Sequence, residues 1–230
     1  MKVAVLFSGG KDSTYSIYKA KEAGHQVECV ATIFPQSYES ELLHYPNIHL
    51  TKLQAEAMNL PQISIEVDST NPNSEENTLE EILSRAKENF NVEGIVHGGI
   101  LSEFQRKRFE QVSNNLGITL ISPLWKQNQK EYMKNLLKLK FHFLIISATS
   151  GGLDESWLGK KITEDDLVTL ENLSKKHGFN LSFEGGEAET FVIDCPLFSY
   201  PIKIQKFKKI WDGYRGRFEI EEAKLDYSAR

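Results

Sequence analysis

The stretch Leu6–Tyr15, "LFSGGKDSTY", joins an apolar run to a helical pattern through two glycines, a lysine and an aspartate. Upstream, Val3 to Phe7 is apolar at five consecutive positions. A half-exposed strand would alternate, whereas an unbroken run suits a strand covered on both faces, as in a parallel sheet. Downstream, a helix is expected from about Ser13 to Ala23, ended by Gly24 where a left-handed residue is cheapest. A turn placed between such a strand and such a helix lies where open α/β sheets bind ligands. The free N–H groups at the helix start attract anions. Gly9 and Gly10 let the backbone approach a phosphate, Ser8 and Ser13 add hydroxyl donors, and Lys11 adds a mobile positive charge. Asp12 would repel a phosphate unless a magnesium ion bridges the two kinds of oxygen. An anion cradle therefore accounts for every residue of the stretch, and a plain turn accounts only for its glycines.

Strands and helices alternate outward from this turn. A second strand is expected over Val27–Phe34, a helix over His49–Met58 and a third strand in "QISIEVD". A helix over Glu75–Phe90, a short strand in "EGIVHGG", a helix over Ser102–Leu116 and a strand in "ITLIS" follow. Ser102 and Gln105 have the spacing of a capping box. The alternation predicts an α/β fold with a doubly wound parallel sheet. Past Pro123 the pattern changes. A helix over Asn128–Leu139, a buried strand in "FHFLIISAT" and a helix over Glu164–His177 lead into strands, and "DGYRG" joins the last two as a hairpin. A boundary near 123–127 would separate a nucleotide-binding domain, 1–125, from a smaller α+β substrate domain, 126–230. In the first, the strand end Ala31, Thr32, Ile33 and Phe34 would offer its backbone to an adenine edge, with an ordinary core strand as the alternative. His97, Gly98 and Gly99 close the fourth strand on the same rim, either near a ribose or phosphate or as a simple turn. Arg106 and Arg108 oppose the dipole at the start of their helix, a misfit that an anion would relieve and a solvated face would tolerate.

Composition narrows the classes. Of 230 residues, 40% are hydrophobic and 26% charged, the profile of a globular protein. A net charge of −5 disfavours a nucleic-acid partner. Cys29 and Cys195 form no CxxC pair, which argues against a disulfide framework and a zinc site. No run approaches the ~20 apolar residues of a membrane span, and the apolar start is too short for a signal peptide. A cytoplasmic protein with no membrane partner is expected, and the sequence is compatible with a homo-oligomer. There is no GxxxxGK[ST], and "GGLDESWLGKK" has the wrong spacing for one. GxGxxG is absent from the first turn.

"SGGKDS" after an N-terminal strand resembles the pyrophosphate loop of the N-type ATP pyrophosphatases, which implies cleavage of ATP to AMP and pyrophosphate with transient adenylation of a substrate. The acceptor is suggested by "EGGEAETFVIDCPLF", residues 184–198, which gathers Glu184, Glu187, Glu189 and Asp194 around Gly185 and Gly186. Carboxylates so placed can bind an ammonium group, hold magnesium or act as a general base; a solvated acidic turn is the plain alternative. Period-two spacing puts Glu187 and Glu189 on one side of an extended segment.

Taken with "NIHLTKLQAEAMNLP" and "GGILSEFQRKRFEQV", these segments resemble the diphthine–ammonia ligase family over most of the chain. The resemblance implies amidation of diphthine, the modified histidine of elongation factor 2, to diphthamide. An acyl-adenylate would form, ammonia would attack it, and AMP and pyrophosphate would be released. It implies that Ser8, Gly9, Gly10, Lys11, Asp12 and Ser13 hold the phosphates of ATP, with Asp12 reaching magnesium. It further implies that Glu184, Gly185, Gly186, Glu187, Glu189 and Thr190 line the diphthine pocket. Ala188 departs from the family pattern, which more often has an aromatic residue there. Diphthine carries a trimethylammonium, for which Glu187 and Glu189 with Trp157 or Tyr200 would form an acidic and aromatic wall. No glutaminase segment accompanies the ligase pattern, so free ammonium is the expected nitrogen donor. The rival readings are a tRNA-modifying thiolase, a lysidine synthetase and a non-catalytic nucleotide-binding protein. Thiolases of this type need paired cysteines, and a lysidine synthetase needs a tRNA-binding surface.

Overall fold

The computed structural model describes residues 1–35, 47–67 and 74–229. Asp68, the last residue of the expected third strand, lies outside them. Five strands form the first sheet: β1 (Lys2–Leu6), β2 (Gln26–Pro35), β3 (Gln62–Val67), β4 (Gly94–Val96) and β5 (Thr119–Ile121). Their order is β3-β2-β1-β4-β5, and every neighbouring pair is parallel. Four helices connect or flank them: α1 (Lys11–Glu22), α2 (Thr51–Ala57), α3 (Ser74–Phe90) and α4 (Glu103–Asn115). β1 is central and buried on both faces, which explains its unbroken apolar run. Val3 and Val5 belong to one core cluster and Ala4 to the other. The chain winds outward from β1 to β3 and then returns to place β4 on the other side of β1. The strand order thus reverses between β1 and β4, and their carboxyl ends bound a crevice of the kind that holds ligands.

The second sheet is antiparallel and has the order β7-β6-β9-β8. It comprises β6 (His142–Ala148), β7 (Ala188–Asp194), β8 (Ile202–Trp211) and β9 (Gly216–Leu225), with α5 (Gln129–Lys138) and α6 (Glu164–His177). Residues 212–215 make the hairpin turn, where Asp212 Oδ1 accepts the N–H groups of Tyr214 and Arg215, each at 2.9 Å. β8 is an edge strand and carries the exposed lysines 203, 206, 208 and 209. Charged edges discourage pairing with another chain. Among the described residues no helix is long and apolar enough to cross a membrane.

The larger core cluster is shared by the two sheets, running from Val3, Val5 and Ile17 to Tyr132, Phe141, Phe191 and Phe218. α1 therefore faces the second sheet. Tyr15 on α1 meets Phe141 edge-on at 5.3 Å and Tyr132 on α5 at 5.7 Å. Asn47 fastens β9 with a buried side chain: its Nδ2 donates to Phe218 O at 2.8 Å, and its Oδ1 accepts from Ile220 N at 2.7 Å.

Three local departures from the sequence reading have physical causes. α1 begins at Lys11 rather than Ser13, because Gly10 is extended and its carbonyl accepts the first helical bond, from Thr14 N at 3.1 Å. The segment expected as one helix from His49 opens with a 3₁₀ turn, Ile48–Leu50, before α2. Ser102 caps α4 by accepting from Gln105 N at 3.4 Å, but the return bond of a capping box is missing. The Gln105 side chain lines the crevice instead.

Gly98 is where the chain leaving β4 touches the start of α1. A Cβ there would stand 2.8 Å from the backbone of Asp12 and Ser13, which cannot move aside without shifting the helix. Gly98→Ala is expected to cost roughly 1–3 kcal/mol and to lower the unfolding midpoint by about 2–4 °C per kcal/mol. Thermal unfolding beside Gly151→Ala, whose added carbon meets only ordinary contact at 3.8 Å, checks this.

Candidate active site

The turn after β1 is held from three directions. Phe7 N donates to Ala31 O on β2 at 2.9 Å. Gly9 is left-handed, at φ +80°, and its Cα is pressed against Gln54, so that a Cβ would lie 2.3 Å from Gln54 Oε1. The fully buried Gln54 donates through Nε2 to Gly9 O at 2.9 Å and to Val192 O at 2.8 Å. Val192 N in turn donates to Gly9 O at 3.0 Å. Two residues on, Lys11 N donates to Thr190 Oγ1 at 3.1 Å. The glycine turn is thus bound to β7 of the second sheet.

Lys11 corrects the expectation of a mobile cation. It is 1% exposed. Its ammonium donates to both carboxylate oxygens of Asp12 at 2.9 Å and to Ser182 O at 2.6 Å. The rings of Tyr132 and Phe183 lie 5.8 and 5.5 Å away. A buried ammonium is tolerated only when its donors are satisfied and its charge is paired, and here both conditions hold. Asp12 is gripped from the other side by Tyr132, whose Oη donates to Oδ1 at 2.5 Å. Complete burial, and secondarily the Asp12 charge, push the Tyr132 phenol well above its ordinary range.

A cavity lies over this turn. Ser8, Gly10, Lys11, Asp12 and Ser13 line it, but Gly9 faces Gln54 behind it. Ala31 and Ile33 reach it, whereas Thr32 and Phe34 do not. Thr32 Oγ1 donates to Phe7 O at 2.8 Å, and the Phe34 ring packs under Lys52 at 6.0 Å. His97, Gly98 and Gly99 all line the cavity. So do Glu184, Gly186, Glu189 and Thr190 from the acidic segment. Gly185 and Glu187 do not. Glu187 holds the loop together: Oε1 accepts from Asn180 N and Nδ2 at 2.8 and 2.9 Å, and Oε2 from Gly185 N at 2.8 Å. Glu187 and Glu189 therefore do not form one wall, because Gly186 turns left-handed at φ +77° and β7 starts only at Ala188. Trp157 and Tyr200 also stand elsewhere. Trp157 is buried under Lys160 at 4.8 Å, and Tyr200 packs on Tyr227 at 4.9 Å. The aromatic lining comes from Phe7, Phe109 and Phe183.

Phe183 and Tyr132 escaped the sequence reading. Phe183 is left-handed at φ +62°, a conformation that costs a bulky residue on the order of 1–3 kcal/mol. Its N–H donates to Asn180 O at 2.8 Å, which fixes the turn and sets the ring between Lys11 and the cavity. An aromatic residue two positions before a pair of glycines was the available signal. Tyr132 lies in a helix with no motif, and nothing local marks it.

Electrostatics divide the remaining groups. Glu184 Oε1 accepts from Ile100 N at 2.7 Å and Leu101 N at 3.4 Å, tying the acidic loop to the exit of β4. Burial, and then the neighbouring Asp12 charge, raise its carboxyl above the usual range. His97 is buried and held down to about 4 by desolvation, with Arg106 adding to the effect. Its Nδ1 accepts from Gly99 N at 3.1 Å, so Nε2 carries the proton and donates to Ser122 Oγ at 2.6 Å. Arg106 and Arg108 sit over aromatic faces, at 4.9 Å from Trp125 and 5.1 Å from Phe104, which compensates their opposition to the helix dipole. Cys29 and Cys195 are both buried, and the Cys29 thiol is pushed to about 12 by desolvation. Among the described residues no group of three or more His, Cys, Asp or Glu is placed to hold a metal ion.

The model of the diphthamide synthase N-terminal domain matches residues 1–120, and that of the diphthamide synthase C-terminal domain matches residues 128–225. The chain belongs to the diphthine–ammonia ligase family. It is 35% identical over 228 residues to the diphthine–ammonia ligase of Mus musculus, covering 91% of this chain and 85% of that one. It is 38% identical over 220 residues to the ligase of Bos taurus, covering 88% and 82%. Among solved structures, one described as a predicted subunit of tRNA methyltransferase from Methanocaldococcus jannaschii superposes at a TM-score of 0.45 with 18% identity, over 85% of this chain and 98% of that one. In this member of the diphthine–ammonia ligase family, both matched segments contribute to the same cavity wall.

His97 gives a pH signature. Its folded pKa of about 4 lies below the unfolded 6.5, so the unfolded chain binds the extra proton between these values. Stability is complete above pH 6.5 and falls as the pH drops toward 4, by up to about 3 kcal/mol from this residue. Denaturant unfolding across that range should show the slope, and His97→Gln should flatten it.

Proposed function

We propose that this protein is an ATP-dependent diphthine–ammonia ligase, forming diphthamide on elongation factor 2 in the cytoplasm. The observation that supports this most is that the glycine turn after β1 and the acidic segment before β7 line one cavity, in a chain of that family. In this reading ATP lies across the switch point between β1 and β4. Its phosphates meet the hydroxyls of Ser8 and Ser13 and the first-turn N–H groups of α1, which have no intrahelical acceptor. Its base lies toward Ala31 and Ile33, with His97, Gly98 and Gly99 on the other rim. Residues 1–125 serve the nucleotide and residues 126–230 the protein substrate, whose diphthine side chain approaches Gly186, Glu189 and Thr190.

The chemistry proceeds in two displacements. The diphthine carboxylate attacks the α-phosphorus of ATP and pyrophosphate departs, which leaves an acyl-adenylate. Ammonia, drawn from free ammonium, then attacks the activated carbonyl and AMP departs. Lys11 is too deeply bound to travel with a phosphate, so its part is to hold Asp12 and the acidic loop in place. Magnesium enters this reading on the phosphates of the nucleotide. Asp12 does not fit as its protein ligand in the arrangement seen, because both oxygens already face the Lys11 ammonium and one also accepts from Tyr132. A cation beside it would meet that ammonium.

The buried state of both cysteines weighs against the thiolase reading, which requires accessible thiolates. Incubation with Mg-ATP, ammonium and diphthine-bearing elongation factor 2 should yield AMP, pyrophosphate and amidated product in equal amounts, and omission of any one component should abolish amidation. ATP binding with no AMP under the complete conditions would turn the reading to a nucleotide sensor.

A further inference from the structure

Amidation by free ammonium has a difficulty the reaction itself does not solve. Near neutral pH almost all of the nitrogen donor is protonated and carries no lone pair. A ligase that draws on it needs an anionic group to receive the cation and take a proton, beside the carbonyl to be attacked.

The acids around the cavity are not equivalent. Both oxygens of Asp12 are bound by the Lys11 ammonium, and Oδ1 also accepts from the Tyr132 hydroxyl. Glu187 accepts three hydrogen bonds from its own loop and lies outside the cavity lining. Asp194 ends β7 away from the cavity, within 3.7 Å of His142. Glu184 and Glu189 remain. Glu189 stands on β7 beside Thr190, opposite Ser147 of the neighbouring strand. Glu184 is set at the junction of the phosphate turn and the β4 exit. One of its oxygens is held by Ile100 N and Leu101 N, and the other accepts no hydrogen bond among the described residues.

From this geometry we infer that Glu184 binds the ammonium ion and takes its proton. The step rests on the ligase reading above. An N–H bond of ammonium breaks and its proton moves to Glu184 Oε2, leaving the electron pair on nitrogen. That pair forms the C–N bond to the acyl-adenylate carbonyl, the C–O bond to AMP breaks, and the phosphate oxygen of AMP takes the second proton. The two backbone donors fix Oε1 and so aim Oε2 without neutralising it. The charged and titratable groups facing Glu184 favour the same role. Asp12 of α1 raises the Glu184 carboxyl and Lys11 of α1 lowers it by less, Tyr132 of α5 is a neutral phenol, and His97 at the end of β4 is uncharged. A carboxylate in such company is a better base than a solvated one, and burial raises Glu184 in that direction.

Glu184→Gln keeps an acceptor for Ile100 N and nearly the same shape, but it cannot take a proton. The test compares three readouts on the intact variant and parent: ATP–pyrophosphate exchange driven by the diphthine-bearing protein, amidation with ammonium, and hydroxamate formation with hydroxylamine, which is already unprotonated at neutral pH. The expected result is exchange within about twofold of the parent, amidation with ammonium reduced at least a hundredfold, and hydroxamate formation preserved. Loss of exchange together with amidation would overturn the inference by making Glu184 part of nucleotide or diphthine binding. Unchanged use of ammonium would overturn it as well. Absence of exchange in the parent protein would instead sink the ligase reading itself.

Discussion

One buried cation organises this molecule. The ammonium of Lys11 is enclosed by groups from three places far apart in the chain: its neighbour Asp12, the carbonyl of Ser182, and the rings of Tyr132 and Phe183. Taking a charge out of water is costly unless it is paired and hydrogen-bonded, and removing one partner of such a pair typically costs about 3–5 kcal/mol. The glycine turn is therefore held in this shape together with the second sheet and the segments that flank it. The docking in turn brings the acidic segment to the mouth of the crevice that the parallel sheet creates between β1 and β4. The two walls of the cavity are held in register by hydrogen bonds from Lys11 to Thr190 and Ser182, from Tyr132 to Asp12 and from Gln54 to Val192.

The same constraint sorts the acids. Negative charge is abundant at the cavity, yet the structure removes most of it from chemistry by pairing or by internal hydrogen bonds. Asp12 is balanced by Lys11, and Glu187 is consumed in closing the 180–187 loop. The carboxylate left with an uncommitted oxygen at the junction is Glu184. The backbone strain at Phe183 fits this picture: an unfavourable left-handed residue is retained where its ring walls off the ammonium and leads directly into the acid.

The fold was legible where burial imposes a period on the sequence. The unbroken run of β1 reflects coverage on two faces, and the alternation of strands with amphipathic helices up to residue 121 reports the parallel sheet. The turn between β1 and α1 was legible because its glycines and the helix start are all local. The true position of Lys11 was not, since its partners lie 120 residues away on α5 through Asp12 and 171 residues away at Ser182. The pairing of Glu187 with Glu189 failed for a different reason. Period two applies only within a strand, and the left-handed Gly186 keeps Glu187 in the preceding turn. Trp157 and Tyr200 were chosen for residue type alone, and packing assigned them to other neighbours.

The central claim is that the turn after β1, clamped by Lys11 to the second sheet, is a phosphate cradle that presents the α-phosphorus toward the acidic segment. A crystal structure with an ATP analogue whose α,β bridge resists cleavage addresses it most directly. The account predicts phosphate oxygens within hydrogen-bond distance of Ser8, Ser13 and the first-turn N–H groups of α1, Lys11 still bound to Asp12 and Ser182, and the α-phosphate open toward Glu184 and Glu189. Phosphates bound elsewhere, or an α-phosphate turned away from both glutamates, would contradict it.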